Sequence, residues 1–300
     1  MVTHGHHDKW SLQESLTRLT SDPVGLSVLS RLDEKSLPDL AGGWYRDDLY
    51  RCGTIARNGL ATVFGHDPTE GQAVKAIEHA LWCTWRSALW NTGRPRPGPA
   101  LRSENQHHAD DTAGAPTVVI SPMTLCTQDS LAVILKCFGK RPVVLYGEGI
   151  ATKQHSHLKT PEHVHVVGDG SRHSVSVILR TLMGGGVFCT YPDFVFEGHA
   201  VLDGYLFGRP RPYSKAFISL CSRQNVHLLP VLARREEGGL VASFEAPVVF
   251  EFESRPDVKR LLERSVLYVV QSLLEDLINQ KPEQWLLLGT LSAEACRTVS

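Results

Sequence analysis

Hydrophobic residues recur at helical spacing in several long segments of this 300-residue chain. Residues 257–280 carry apolar side chains three and four positions apart, which predicts a long amphipathic helix. The same spacing predicts a helix over residues 70–90, after a shorter helix at 58–64 and a Gly-His-Asp-Pro break. Residues 12–32 mix apolar with charged positions, as an amphipathic helix does, so residues 1–44 are predicted to be an N-terminal helical extension.

Short apolar runs rich in β-branched residues alternate with helical patterns in the middle of the chain. Strands are predicted at 117–120, 142–146, 186–190, 226–233 and 247–253, and helices at 129–138, 174–183 and 214–224. Alternation of this kind predicts an α/β fold with a largely parallel central sheet flanked by helices. Residues 92–115 are rich in Pro, Gly, His and Asp, which favours a loop that could lie over the site.

Composition narrows the class of protein and of partner. A hydrophobic content of 42% supports a sizeable core, and a net charge of −1 gives no field that favours nucleic acid. The seven cysteines are scattered and never occur as C-x-x-C, which argues against a disulfide framework and indicates a reducing, cytoplasmic setting. We find neither a signal-peptide core nor a run of roughly 20 apolar residues, so no stable membrane insertion is expected.

Signals for metals and cofactors are weak in this sequence. His155 and His157, then His163 and His165, alternate as on one face of a strand and could ligate zinc or iron. Their surroundings are polar, which favours a solvated loop and an edge strand, and both interpretations stay open. The glycine run at 184–186 lacks the Gly-Lys-Ser/Thr of a phosphate-binding loop. We therefore expect neither a metal nor an organic cofactor.

Three short motifs stand in the last third of the chain: Phe-Gly-Arg-Pro at 207–210, Leu-Leu-Pro-Val at 228–231 and Pro-Glu-Gln-Trp at 282–285. Their order and spacing resemble the lipid A biosynthesis acyltransferase family, whose members transfer acyl chains from a carrier protein or coenzyme A to a hydroxyl. The resemblance covers about residues 45–290 and implies that 45–300 form an acyltransferase-like α/β domain. Family members typically start with a membrane-embedding helix, for which this sequence has no counterpart.

The family's catalytic motif, H-x-x-x-x-[DE], follows its first core strand, where the histidine acts as general base and the carboxylate orients it. Here the strand at 118–120 runs into Ser-Pro-Met-Thr-Leu-Cys-Thr-Gln-Asp at 121–129. Counting back from Gly139, which precedes the next strand as the family's glycine does, Asp129 falls on the carboxylate and Thr124 on the histidine. Because a threonine hydroxyl does not accept a proton at neutral pH, the family mechanism cannot operate unchanged.

Five residues of this segment are candidates for the missing chemistry. Asp129 is a possible base if burial raises its pKa, or else a carboxylate stabilised by the helix dipole. Cys126 is a possible nucleophile at a helix start, or else a buried filler. Ser121, Thr124 and Thr127 are possible hydrogen-bond donors to an anionic group, or else helix caps.

The resemblance also implies an anion-handling segment opposite the histidine strand, which contains Asp193, Arg209 and Ser214. An arginine between glycine and proline is suited to bind a carboxylate, phosphate or sulfate of the substrate through its planar fork. The alternative role for Arg209 is a structural ion pair with Asp193 or a contact with a backbone carbonyl.

Three functions remain open at this point. The first is a biosynthetic enzyme with repurposed chemistry, which acts on a small anionic or carrier-bound intermediate and closes a ring with loss of phosphate or sulfate. The second is a divergent acyltransferase that uses an acyl-CoA or acyl-carrier-protein donor and another base. The third is a non-catalytic partner that binds a carrier protein or stabilises a biosynthetic enzyme. A small-molecule substrate is expected for the first two, and a protein partner for the third.

Overall fold

The computed structural model describes residues 12, 15–16, 23–91, 100–146, 162–167, 172–195, 200–223, 225–250 and 259–290. Most of the predicted helix before residue 23 lies outside these ranges. His155 and His157, one of the two histidine pairs, also lie outside them. The predicted loop at 92–115 is described from residue 100 onwards.

Nine α-helices lie within the described ranges, together with short 3₁₀ turns at Glu34–Ser36, Leu49–Arg51 and Pro282–Gln284. The helices are α1 (Pro23–Leu29), α2 (Leu37–Arg46), α3 (Cys52–Phe64), α4 (Glu70–Asn91), α5 (Gln106–Asp110), α6 (Thr127–Phe138), α7 (Arg172–Met183), α8 (Lys215–Cys221) and α9 (Lys259–Gln280).

The break predicted between two N-terminal helices has a local cause. Gly65 ends α3 with a φ of 71°, a left-handed conformation that glycine adopts at little cost. Before α4, the Thr69 hydroxyl accepts a hydrogen bond from the Gln72 amide, and the Gln72 side chain accepts one from the Thr69 amide. This reciprocal cap satisfies two amides that the first turn of a helix leaves unpaired.

Ten strands are described, and eight of them form the central sheet. The strands are β1 (Ala100–Glu104), β2 (Thr117–Ile120), β3 (Val143–Tyr146), β4 (Val164–Val167), β5 (Val187–Thr190), β6 (Val201–Leu206), β7 (Arg209–Ser214), β8 (His227–Glu236), β9 (Gly239–Phe244) and β10 (Val248–Val249). The order in the sheet is β1-β9-β8-β2-β5-β3-β4, and β10 also pairs with β8. Only the pairs β8–β9 and β8–β10 are antiparallel in this sheet as described. β6 and β7 form a separate antiparallel hairpin.

The predicted α/β class with a largely parallel central sheet is confirmed. The strands predicted at 117–120, 142–146, 186–190 and 226–233 all lie in the sheet. Helix α7 packs against β3 and β5, α9 against β2 and β8, and α6 against β9. The sheet is therefore flanked by helices, as the alternation of patterns along the chain predicts.

The prediction of a loop over 92–115 is wrong for its described part. Ala100–Glu104 is the edge strand β1, and Gln106–Asp110 is the short helix α5. β1 pairs in parallel with β9, and Gly239 permits this approach because a side chain there would collide with the carbonyl oxygen of Ala100. Three of the five β1 residues are exposed, so its polar composition resembles that of a loop although its backbone is paired.

Helix α4 joins the N-terminal helices to the rest of the fold. It packs against α2, α3 and the turn at Pro282–Gln284. Gly59 of α3 permits close contact with the C-terminal segment, because a Cβ atom there would lie 2.8 Å from the backbone nitrogen of Gly289. None of the helices in the described ranges combines the length and apolar character that a bilayer crossing requires.

Arg141 joins the segments that enter β2 and β5. Its guanidinium donates to the carbonyl oxygens of Ala115 at 2.8 Å and Gly185 at 3.0 Å. It also donates to the hydroxyls of Thr112 and Thr117, at 2.9 Å each. Arg141 therefore has a structural role at the end of the sheet opposite the carboxyl ends of these two strands.

Gly185→Ala is expected to lower the free energy of unfolding by roughly 1–3 kcal/mol. The residue has a φ of 74°, and a Cβ atom would lie 2.6 Å from the carbonyl oxygen of Gly114. Gly42 is the matched control, because it lies inside α2 with nothing within 4 Å of its Cβ position. Gly42→Ala is expected to raise stability by up to about 1 kcal/mol. Urea denaturation measures both variants, and equal effects would contradict the packing described at Gly185.

Candidate functional site

The carboxyl ends of neighbouring parallel strands meet at one edge of the central sheet, where open α/β sheets bind ligands. β2 lies between β5 and β8 and is parallel to both. The loop after β2 therefore comes next to residues 191–193 after β5 and to the second half of β8. The predicted site residues in the segments after β2 and β5 are Ser121, Thr124, Cys126, Thr127, Asp129 and Asp193.

Asp129 lies in the first turn of α6 and forms a buried ion pair with Arg86 of α4. The Arg86 Nη2 and Nε atoms donate to Oδ1 and Oδ2 of the carboxylate at 2.6 Å and 3.0 Å. This is the bidentate geometry that makes arginine–carboxylate pairs strong. Because both oxygens are occupied, the predicted role of Asp129 as a base would require the buried pair to open.

Cys126 precedes α6 and is buried, and its thiol donates to Oδ2 of Asp129 at an Sγ–O distance of 3.2 Å. Burial raises the pKa of the Cys126 thiol well above its usual value, and the negative charge of Asp129 adds to this shift. The thiol is therefore protonated at neutral pH. This favours the interpretation of Cys126 as a buried filler over that of a nucleophile.

We expect Cys126 of the folded protein to resist alkylation by iodoacetamide at mildly alkaline pH, because burial and the raised pKa both suppress the reactive thiolate. Peptide mapping by mass spectrometry measures the labelling of each cysteine. The control is labelling in urea, in which Cys126 becomes accessible and reacts. Rapid labelling of Cys126 in the folded chain would contradict the buried, protonated thiol and support the nucleophile instead.

Thr124, which the sequence analysis aligns with the histidine of the resembled family, is buried and hydrogen-bonded through its hydroxyl and its carbonyl. The hydroxyl donates to the carbonyl oxygen of Ala233 in β8, and the Thr124 carbonyl oxygen accepts a 2.6 Å bond from Nε2 of His79. Burial lowers the pKa of His79 to about 4; the bond to Thr124 opposes this shift and the charge of Arg235 adds to it. His79 is therefore a neutral imidazole at neutral pH that donates its Nε2 proton to the backbone.

The other predicted hydroxyl residues differ in their surroundings. Ser121 is buried, and its hydroxyl donates to the carbonyl oxygen of Pro122 at 3.3 Å. Ser214 is the N-cap of α8 and accepts a 3.3 Å hydrogen bond from the Phe217 amide, so it stabilises a helix start. Thr127 begins α6, and its side chain lies outside the described structure.

Asp193 follows β5 and is fully buried. Its Oδ2 atom accepts hydrogen bonds from the Met123 amide at 2.9 Å and from the Trp285 indole Nε1 at 2.7 Å. Its Oδ1 atom is buried and has no hydrogen-bond partner among the described residues. Burial raises the pKa of Asp193 above its usual value, while the bonds from Met123 and Trp285 oppose the shift. A buried carboxylate oxygen without a partner is costly, so it demands a specific explanation.

Arg211, rather than Arg209, is the arginine that contacts Asp193. The Arg211 Nε atom donates to the backbone oxygen of Asp193 at 3.1 Å, and Nη1 donates to the Thr290 hydroxyl at 2.6 Å. Its guanidinium also lies 6.0 Å from the centre of a Trp285 ring, within cation–π range. Arg209 is exposed next to the turn of the β6–β7 hairpin. Arg211 therefore makes the contact with a backbone carbonyl that the sequence analysis considers for Arg209.

One C-terminal segment, residues 284–290, links the parts of this site. The Gln284 side chain makes two hydrogen bonds to the backbone of Arg235 in β8, at 2.8 Å and 2.7 Å. The Leu286 amide donates to the carbonyl oxygen of Met123 at 2.9 Å. In the same segment, the Trp285 indole donates to Asp193 after β5, and the Thr290 hydroxyl accepts from Arg211 in β7. The Pro-Glu-Gln-Trp motif therefore organises the site, beyond the packing role that its sequence indicates.

Sequence reasoning missed His79, Arg86 and Trp285. His79 and Arg86 lie seven positions apart on one face of α4, and both are buried. An ionisable residue on the apolar face of a predicted helix indicates a buried partner, so a signal for these two was present. Trp285 carries no comparable signal, because a tryptophan near a helix end serves packing and hydrogen bonding equally well.

Metal ligands are not grouped in the part of the chain that the structure describes, where no three His, Cys, Asp or Glu residues come together as a metal site requires. His165 lies in β4, at one end of the described sheet, and His163 directly precedes that strand. An edge strand at this position is therefore confirmed. The alternative, a metal site formed together with His155 and His157, involves residues outside the described ranges and stays open.

No protein-family model matches this chain, and no curated protein matches it either. The resemblance to lipid A acyltransferases therefore stays a prediction from the sequence, and its most specific part is the three C-terminal motifs. They lie at the β6–β7 turn, in β8 and after α9. The first and third motifs come together, since the ring centres of Phe207 and Trp285 are 6.2 Å apart.

Proposed function

We propose that this protein is a biosynthetic enzyme that closes a ring in a small substrate, with the Asp193 carboxylate as proton acceptor and phosphate or sulfate as the departing group. The observation that carries the proposal is the buried Oδ1 atom of Asp193, which has no partner among the described residues. A proton on the substrate's nucleophile would supply the partner that this oxygen lacks. The motifs shared with acyltransferases would then mark an inherited scaffold with different chemistry.

Both carboxylates are buried, so a substrate has to gain access to either, but Asp193 is better suited than Asp129 to accept a proton. Arg86 occupies both oxygens of Asp129, whereas Oδ1 of Asp193 has no partner in the described structure. Burial raises the pKa of Asp193 above its usual value, which makes it a stronger base. Two hydrogen bonds on Oδ2 hold the group in place, so Oδ1 is the oxygen that would react.

The proposed step couples a proton transfer to a displacement. An N–H or O–H bond of the substrate breaks as its proton moves to Oδ1 of Asp193, and the freed electron pair forms a bond to carbon in the same molecule. The bond from that carbon to the oxygen of the phosphate or sulfate breaks, and its electrons leave with the anion. Asp193 then loses the proton to solvent as the product leaves, so the step balances without an oxidant, a reductant or a second substrate.

The exposed position of Arg209 is a further argument for an anionic or carrier-bound substrate. Its side chain is exposed beside the hairpin turn that contains Phe207. The Phe207 ring packs near Trp285, the residue that donates to Asp193. An exposed guanidinium in this region suits the phosphate of a carrier-protein prosthetic group or of a small anionic substrate.

A second candidate is a non-catalytic partner that binds a carrier protein or stabilises a biosynthetic enzyme. It is favoured by Thr124, Cys126 and Asp129, which stand where the resembled family keeps its catalytic motif and are all bonded within the protein. Divergent acyl transfer would share the proton transfer to Asp193 but direct the nucleophile to a thioester carbonyl.

Native mass spectrometry and product assays on the full chain distinguish these functions. The probes are ethanolamine phosphate and ethanolamine sulfate for ring closure, and acyl-coenzyme A and acyl-carrier protein for acyl transfer. Release of inorganic phosphate or sulfate together with the cyclised amine, and without thioester loss, is the expected result. Thioester loss instead would support acyl transfer. A stable complex with the carrier protein and no turnover of any probe would overturn the proposal in favour of the non-catalytic partner.

A further inference from the structure

We infer that Trp285 is a positioning residue for Asp193: its indole fixes the carboxylate through Oδ2, so that Oδ1 is left to receive the substrate's proton. This inference rests on the proposed function for its meaning in catalysis. The contact itself is tested on the protein without turnover.

The hydrogen bond between these side chains is short and fully enclosed. The indole Nε1 lies 2.7 Å from Oδ2, and the Met123 amide donates to the same oxygen at 2.9 Å. Trp285 is 1% exposed and Asp193 is fully buried, so water does not compete for this oxygen. Two donors from separate segments of the chain therefore hold this oxygen in place.

The indole is in turn held by its neighbours. The Phe207 ring lies 6.2 Å from it at a tilt of 57°, and the Arg211 guanidinium lies 6.0 Å from the ring centre. The preceding residue, Gln284, is bonded twice to the backbone of Arg235. A donor held in this way loses little freedom when it binds the carboxylate, which is the condition for a preorganised site.

Opposing effects set the pKa of Asp193, and the hydrogen bond from Trp285 is one of them. Burial raises the pKa of Asp193, and the hydrogen bonds from Met123 and Trp285 lower it. The positive charge of Arg211 also lowers it. Two groups donate to Oδ2, the Met123 amide and the Trp285 indole. Removal of the indole therefore makes the carboxylate harder to ionise, because its charged form loses one of these two donors.

Two tyrosines, Tyr191 and Tyr213, interact electrostatically with Asp193 but are themselves uncharged. Burial raises the pKa of each hydroxyl, and the negative charge of Asp193 adds to the shift. Both hydroxyls therefore stay neutral over the range in which a carboxylate ionises. A change in the pKa of Asp193 on mutation of Trp285 thus reports the lost hydrogen bond rather than a tyrosine titration.

Trp285→Phe removes the indole donor and keeps an aromatic ring. We expect the pKa of Asp193 to rise in this variant relative to the wild type. Trp82→Phe is the matched control, because Trp82 Nε1 donates to a different carboxylate, Glu34, at 2.8 Å. This control leaves the pKa of Asp193 unchanged. Carbon-13 NMR of labelled aspartate carboxyls, with Asp193 assigned from Asp193→Asn, measures the pKa in each protein.

The wild-type protein provides the same test if Trp285→Phe does not fold. The indole N–H resonance of Trp285 is expected to shift with the midpoint of the Asp193 titration, because the two groups share a hydrogen bond. An Asp193 pKa that is equal in Trp285→Phe and the wild type would overturn the inference. So would a Trp285 resonance that does not follow the Asp193 titration.

Turnover distinguishes failure of the inference from failure of the proposed function. With a probe that the enzyme converts, the rising limb of the pH–rate profile moves to higher pH in Trp285→Phe. If the NMR shift occurs and no probe is converted, the proposed function fails while the positioning of Asp193 by Trp285 stands. If a probe is converted and the limb does not move, the positioning role fails alone.

Discussion

Arg86→Met is expected to lower the free energy of unfolding by about 3–5 kcal/mol, because it leaves the Asp129 carboxylate buried without its cation. The side chains of Arg86 and Asp129 are 6% and 1% exposed, so water cannot replace the lost partner. Asp129→Asn is expected to cause a loss of the same order, since Arg86 then carries an unpaired buried charge. Urea denaturation followed by tryptophan fluorescence measures both variants.

The double variant Arg86→Met/Asp129→Asn separates the loss of pairing from the loss of packing. With both charges removed, most of the lost stability is expected to return, because uncharged groups often replace a buried pair at little cost. Arg102→Met is the matched surface control: Arg102 is 60% exposed and pairs with Glu236, so its loss should cost less than about 1 kcal/mol. A loss in Arg86→Met no larger than in Arg102→Met would contradict the buried pair.

Asp193→Asn is expected to reduce turnover by a factor of about 10²–10⁴, the usual contribution of a general base. The amide oxygen can take the place of Oδ2 and accept from Met123 and Trp285, so these bonds survive while the proton acceptor is lost. Asp203→Asn is the matched control, because Asp203 is exposed on β6. The readout is release of phosphate or sulfate from the ethanolamine esters, and equal loss in both variants would contradict a specific role for Asp193.

The same variant is expected to be about as stable as the wild type at neutral pH, because the loss of the buried charge offsets the cost of unpaired amide N–H groups at the place of Oδ1. Burial raises the pKa of Asp193 in the folded protein, so the folded state binds more protons than the unfolded state between the two pKa values. Stability therefore falls as the pH rises through that window, and the ionised carboxylate costs stability above it. Asparagine carries no charge, which removes this cost. Lower turnover at unchanged or higher stability would distinguish a functional carboxylate from a structural one.

The α/β class was predictable because buried parallel strands are continuous apolar runs. Thr117–Ile120 and Val187–Thr190 are of this kind, and each is followed by a helical pattern or a turn. Ala100–Glu104 and Arg209–Ser214 lack this signal, because they lie at the edge of the sheet or in the separate hairpin. These polar or Pro-rich segments form strands because they pair with β9 and with β6 respectively. The local pattern of apolar residues does not reveal such pairing.

The place of the candidate site in the fold was also predictable, whereas the hydrogen-bond partners of its residues were not. Asp129 and Asp193 each follow a strand of the predicted sheet, and these strands prove to be neighbours. The partner of Asp129 lies 43 positions earlier in the chain, on a helix whose orientation no motif specifies. Arg209 and Arg211 are two residues apart on one strand, and only the three-dimensional position of the hairpin decides which of them reaches Asp193.

The pH dependence of turnover, measured beside the carbon-13 titration of Asp193 in the same protein, tests the assignment of the proton acceptor most directly. If Asp193 accepts the proton, the rate rises with pH along a limb whose midpoint equals the NMR pKa of Asp193, and Asp193→Asn lacks this limb. A rate in Asp193→Asn close to that of the wild type, or a limb whose midpoint differs from the Asp193 titration, would contradict that assignment.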